Sequence, residues 1–337
     1  MAIIAFGLSE SCSTTWPIKV DFLCILQSFS ETSFGLKDLS KQAGSRHRIV
    51  FGNCMDMHEI ASGSINLTVT SPPYYNAPFD YPGMYRDYEE YLDMLSRVAD
   101  ELYRVTAQGR IVCFVIDDML VDGEKMPIVA DTTSIMRRTG FRYRDRITWV
   151  KPKGYSRISR RSGVLIQHPL PMYFYPDNIQ ESILIFQNGR FDYKEIKSLD
   201  QDVVESSRID SQFFNQNEWN LSVWHITNVL PSNNVLEKGI AAFPDELATR
   251  LITLFSFKGE TILDPFLGSG TTSKMAAVLG RNSVGYELNY ALRDRIISKI
   301  GIPNVESSRI TIERRHDCIL TIEEHTPRSS SGYQSLR

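Results

Sequence analysis

Residues 261–287 read TILDPFLGSGTTSKMAAVLGRNSVGYE. Thr261 to Asp264 is a short apolar strand, a glycine-bearing turn follows, Thr271 to Leu279 has helical character, and Asn282 to Tyr286 is again strand-like. Upstream, Asp245 to Phe257 predicts a helix; downstream, Ala291 to Ile300 predicts another. The same alternation recurs nearer the N-terminus. Arg48 to Phe51 and Ile65 to Thr70 read as strands, the second stopped by Pro72 and Pro73, neither of which can donate to a ladder. Between them, Met55 to Ala61 reads as a short helix. Tyr91, Leu95, Val98 and Leu102 fall at helical spacing within Tyr88 to Arg104, and Gly109 breaks that pattern. Arg110 to Ile116 is nearly all apolar, as in a strand buried on both faces. A helix from Ile128 to Arg138 ends at Gly140, and strands follow at Arg146 to Val150 and Ser182 to Gln187. Strands alternating with helices predict a three-layer α/β fold around a mainly parallel sheet.

Composition narrows the class. With 42% apolar and 23% charged residues over 337 positions, the chain can build a large core and is not a disordered or fibrous sequence. A net charge of −3 excludes a general polycation, so any nucleic-acid contact must come from a local patch. Cys12, Cys24, Cys54, Cys113 and Cys318 are odd in number and none is spaced as a zinc ligand, which fits a reducing compartment and no metal site. No apolar run reaches the roughly 20 residues of a membrane span. The opening residues lack a signal peptide's basic start. An intracellular protein is expected.

Two constellations carry chemistry. The first is Asp264, Pro265, Phe266, Leu267, Gly268, Ser269, Gly270, Thr271 and Thr272, between a strand and a helix. Glycines there let the backbone approach a ligand closely, and ligands of open α/β sheets bind outside the carboxyl ends of the strands. Glu287 ends the next strand, where an acid can accept from both ribose hydroxyls of a nucleoside. The Gly-Lys-Ser/Thr ending of a phosphate loop is absent. The second is Ser71, Pro72, Pro73 and Tyr74 at the end of a predicted strand. Consecutive prolines stiffen the backbone and leave carbonyls without matching donors. Ser71 adds a hydroxyl, and Tyr74 a flat face. A planar base with an amino group needs that combination: two acceptors for the amine and a ring to stack on.

Together the two resemble the amino-methyltransferase family that acts on DNA, in which Ser/Asn/Asp-Pro-Pro-Tyr is the catalytic motif and Phe-x-Gly-x-Gly the cofactor motif. The catalytic motif here precedes the cofactor motif by nearly 200 residues, which resembles the permuted beta group of that family. The resemblance implies a Rossmann-like, circularly permuted methyltransferase fold that binds S-adenosyl-L-methionine. Ala242 to Ile252, with Phe243 and Pro244, resembles the segment covering the methionine end of that cofactor, and Ile147 to Lys153 the segment before the recognition region. Two positions depart from the family. Gly239, Ile240 and Ala241 stand where His-Pro-Ala is usual, and Asn53 follows Gly52 where an acid near the cofactor adenine is usual. An asparagine oxygen can still accept from that amine.

By the same resemblance, Ser71 and the Pro72 carbonyl accept the two amine hydrogens, and transfer is direct. Methylation of a cytosine ring carbon would need a thiolate, which ring-carbon methyltransferases carry in a Pro-Cys pair; no cysteine here follows a proline. Ser in the first motif position is commoner in cytosine-N4 enzymes and Asp in adenine-N6 enzymes, so cytosine is the expected base and adenine the alternative. A DNA-binding protein without activity and an RNA methyltransferase are further alternatives, opposed by the intact motifs and by their order.

Between Arg137 and Arg161 lie ten Lys or Arg and one acid, so the rest of the chain carries −12. Lys151, Lys153, Tyr155, Arg157, Arg160 and Arg161 are the candidate contacts to double-stranded DNA; Arg142 to Arg146 can equally be a solvated strand face. The expected organisation is an N-terminal helical extension over 1–46, a catalytic half over 47–152, a target-recognition region over 153–235, a cofactor half over 236–316 and a polar tail over 317–337. Two short helices, at Phe22 to Phe29 and Leu36 to Ala43, are expected in the extension. The resemblance leaves open a restriction endonuclease as partner, and the target sequence and oligomeric state.

Overall fold

The computed structural model describes residues 44–75, 84–121, 123–152, 170–172, 176, 178–228, 243–301 and 309–319. The two helices expected in the N-terminal extension lie outside them, as do Gly239, Ile240 and Ala241. Among the described residues, nine strands form the main sheet: β1 (Arg46–Phe51), β2 (Ile65–Thr70), β3 (Thr106–Ile116), β6 (Arg142–Val150), β7 (Gln180–Gln187), β8 (Val223–His225), β9 (Thr261–Asp264), β10 (Asn282–Glu287) and β11 (Arg309–Arg314). A separate hairpin pairs β4 (Met119–Val121) with β5 (Glu124–Met126). The order across the sheet is β11-β1-β10-β9-β2-β3-β7-β6-β8. All neighbours are parallel except those of β7, which runs antiparallel to both β3 and β6.

Alternation along β1 shows how the layers arise. Val50 belongs to the core that α1 (Tyr88–Val105) and α2 (Ile128–Thr139) cover through Leu95, Val98, Leu102, Ile135 and Met136. Its neighbours Ile49 and Phe51 point the other way, into a cluster with Ala277 of α6 (Thr271–Val278) and Ile296 and Ile300 of α7 (Arg293–Ile300). Successive side chains of a strand face opposite sides, so helices on both faces are what a doubly apolar strand requires. The fold is α/β with a mainly parallel sheet. Each fully buried aliphatic side chain in it contributes about 1.5–3 kcal/mol.

Several boundaries differ from the sequence reading. Met55 to Ala61 is a run of turns, not a helix; Met57 and Ile60 are buried there without helical hydrogen bonding. The strand after α1 begins at Thr106, and Gly109 lies inside it at φ +77, at a register slip against β2. Arg142 to Arg146 is the exposed beginning of β6. Residues 190–235, read as irregular, contain α3 (Gln201–Ser206), α4 (Ser211–Gln216) and β8. β11 had no strand prediction. The segment from Asp317, read as the start of a tail, is bonded into the body through Ile319.

Candidate active site

Four strands end side by side in the order β1, β10, β9, β2, and each exit carries polar groups. Asp264 closes β9 and is buried, at 2% exposure. Burial pushes its carboxyl up to about 6, because a charged oxygen there loses its water. Three donors counter this: the Thr70 hydroxyl at 2.6 Å, the Thr272 hydroxyl at 2.7 Å and the Phe266 amide at 3.1 Å. Thr70 is the last residue of β2, immediately before Ser71. One hydrogen bond therefore ties the serine–proline turn to the glycine turn, across 194 positions of sequence.

The glycine turn leans on β10. Leu267 N donates to the Tyr286 carbonyl at 2.8 Å, and Gly268 N to Glu287 Oε2 at 2.9 Å. β10 has to be bare beneath it: a Cβ on Gly285 would lie 2.7 Å from the Leu267 side chain. Gly268 and Gly270 have φ of +53 and +89, the left-handed region that glycine tolerates best. Glu287 is buried and also accepts from Asn289 N at 2.8 Å. At the neighbouring exit Pro72 and Tyr74 are buried, whereas Ser71 and Pro73 are half-buried. Tyr75 packs away into an aromatic group, 5.2 Å from Tyr88 and 5.7 Å from Tyr91 between ring centres.

The family model described as DNA methylase, N6_N4_Mtase, matches residues 65–299. The chain belongs to this N6/N4 DNA methylase family. It is 34% identical over 307 residues to the type II methyltransferase M.MthZI of Methanothermobacter thermautotrophicus, covering 82% of this chain and 83% of that one. Against M.MjaI of Methanocaldococcus jannaschii it is 31% identical, covering 77% and 92%. A solved structure of TTHA0409 of Thermus thermophilus, complexed with S-adenosyl-L-methionine, superposes with a TM-score of 0.62 at 29% identity, covering 80% of this chain and 98% of that one.

The remaining sequence candidates of this methylase fall in different places. Phe243 and Pro244 are buried at the start of α5 (Asp245–Phe255), where Asp245 pairs with Lys274 of α6. Asn53 follows β1, and its side-chain oxygen accepts from Met55 N at 3.0 Å. Pro265, Ser269 and Thr271 lie in the glycine turn and the helix start beyond it; Lys299 donates to both the Ser269 and Thr271 hydroxyls at 2.7 Å. Lys151 is ion-paired with Glu181 and lies 5.0 Å over the Trp149 ring, so its charge is engaged within the methylase. Lys153, Tyr155, Arg157, Arg160 and Arg161 lie outside the described residues.

Sequence reasoning placed Thr70 at the head of the serine–proline motif without a role, and missed Lys299. A threonine ending a strand and a lysine on a polar helix face carry no local signal; only the fold shows what they touch. Of the region ascribed to recognition, β8 joins the main sheet beside β6. Arg250 of α5 anchors it, lying 5.1 Å over Trp224 and 5.5 Å over Trp219 while paired to Glu246 at 2.5 Å.

Proposed function

We propose that this methylase transfers a methyl group from S-adenosyl-L-methionine to the exocyclic amino group, N4, of cytosine in double-stranded DNA. The observation that carries the reading is the Thr70–Asp264 hydrogen bond, which holds the serine–proline turn beside the glycine turn. The residues present fit the donor. Glu287 is an acid for ribose hydroxyls at the exit of β10, and the left-handed Gly268 and Gly270 leave the turn without Cβ atoms beside it. Asp264 through Thr272 with Glu287 would hold the nucleoside portion, Phe243 and Pro244 would flank the methionine end, and Asn53 would lie beside the base. When bound, S-adenosyl-L-methionine supplies an electrophilic methyl carbon on a positively charged sulfur.

The target amine is conjugated into its ring and is a poor nucleophile. Ser71 Oγ and the Pro72 carbonyl accept its two hydrogens, which favours a pyramidal nitrogen and aims the lone pair. Catalysis is then orientation and electrostatics. A paired base cannot reach this cleft, so it is flipped out of the duplex at a cost of a few kcal/mol. Stacking on Tyr74 returns about 1–3 kcal/mol of that. The basic run from Lys153 to Arg161 supplies phosphate contacts, and residues 153–235 read the target sequence. Serine at the first motif position supports cytosine.

The test is transfer of labelled methyl groups to genomic DNA, followed by digestion to nucleosides and mass analysis. N4-methylcytosine is expected. N6-methyladenine would replace the choice of base, and DNA binding without donor binding or turnover would end the enzymatic reading.

A further inference from the structure

The basic run between Arg137 and Arg161 is divided by the fold. β6 runs antiparallel to β7, and β7 antiparallel to β3, so β6 points the same way as β2 and β3. Its last residue, Val150, brings Lys151 to the sheet edge where Ser71 and Asp264 lie. Its first residue, Arg142, is at the opposite edge, about 25 Å away at the rise of an extended strand. Arg137 and Arg138 stand just ahead of it, in the last turn of α2.

Residues 137–146 hold five arginines and one acid, Asp145, in a chain whose net charge is −3. All five arginines are exposed. Exposed Arg190 is brought beside them, because the Arg142 guanidinium donates to the Gly189 carbonyl at 3.1 Å. Arg144 lies 5.7 Å over the Phe255 ring at the end of α5, and Asp145 accepts from the Arg146 amide at 2.8 Å. Other arginines of the methylase are held by acids: Arg48 by Glu313 at 2.7 Å, Arg104 by Glu101 at 2.7 Å and Arg250 by Glu246 at 2.5 Å. Among the described residues, none of the six in this patch is ion-paired.

Structure alone asks for some positive charge here. Cations suit the end of α2, whose last carbonyls are partly negative. Charge on β6 also guards an edge that β8 covers only from Thr148 to Val150. Neither need calls for arginine in particular. Edges are commonly guarded by lysine, yet no lysine occurs between 137 and 146. The planar guanidinium fork is the side chain that grips phosphate in two places at once.

We infer that this face is a second contact surface for double-stranded DNA, holding phosphates without reading bases, at the sheet edge opposite the serine–proline turn. Six guanidinium groups without acids fit the polyanion on which a DNA methylase works, whichever base is methylated. One chain then holds two stretches of duplex and can pass between them without release, because the second stays at high effective concentration.

The test uses the full chain and a short synthetic duplex of mixed sequence. Phenylglyoxal modification with peptide mass analysis reads each arginine. Saturating duplex should protect Arg142 and Arg146 at least severalfold, and protection should fade as salt rises, since the contacts are to phosphate. This readout does not need methyl transfer, so it reports on the surface even if the proposed reaction fails. A variant with Arg138→Gln, Arg142→Gln, Arg144→Gln and Arg146→Gln should bind one duplex per chain where the wild type binds two. Its unfolding midpoint and its transfer rate at saturating DNA should be unchanged.

Equal modification with and without duplex overturns the inference, and so does a wild type that binds a single duplex. A folded variant that loses transfer would place these arginines under the target DNA and would also overturn it. Protection by RNA but not by duplex DNA overturns the choice of partner. If the variant fails to fold, protection and stoichiometry of the wild type still decide.

Discussion

Tyr74 is buried, at 7% exposure, in the core that α1 covers, so its ring has structural neighbours as well as a proposed base to receive. Truncation separates the two roles. Tyr74→Ala should lower stability by about 3 kcal/mol, as buried aromatic truncations do, and should slow single-turnover transfer at least tenfold through lost stacking. Calorimetric affinity for S-adenosyl-L-homocysteine should stay within about twofold, and a parallel loss there would show that the ring is misplaced. Asp264 makes a prediction in pH. Its folded pKa, about 6, lies above the ordinary carboxyl value of 3.8, so the folded state holds the proton more tightly than the unfolded chain. Stability from this group is full below pH 4 and falls as pH rises toward 6, by on the order of 3 kcal/mol. Asp264→Asn should flatten that part of the stability–pH curve while keeping an acceptor for Thr70, which denaturant titrations across the window would show.

At the scale of elements, the glycine turn between β9 and α6 is the most sensitive place. Gly268→Val puts a β-branched side chain at φ +53, a region where such residues are genuine outliers. Donor affinity should fall beyond detection in calorimetry, and unchanged affinity would refute the placement. This turn was legible in the sequence because each part has a local cause: an apolar strand, glycines, a helix and an acid at the next strand end. Met55 to Ala61 was misread because two buried apolar residues three apart suit a helix and a chain of turns equally. β11 was not legible at all. Its partly buried Ile310 and Ile312 sit among Arg309, Thr311, Glu313 and Arg314, and its pairing with β1 is decided about 265 positions away, where the Arg48 guanidinium meets Glu313 at 2.7 Å.

For the whole molecule, the C-terminal strand belongs to the folded body. A chain ending at Gly301 should lose about 3 kcal/mol of unfolding free energy from the uncovered Ile310 and Ile312 contacts alone. Thermal unfolding of the truncated chain beside the full one would test this.

The arrangement of β2 between β3 and β9 also bears on how the protein is made. β3 follows β2 closely, but β9 is synthesised 194 positions after Thr70. At 5–20 residues per second a ribosome needs roughly 10–40 s to deliver it. During that interval one side of β2, with its row of backbone donors and acceptors, waits without its final neighbour. The nascent protein is then most exposed to wrong strand pairing, and a chaperone that shields that edge would raise the yield of active enzyme more than one acting after release.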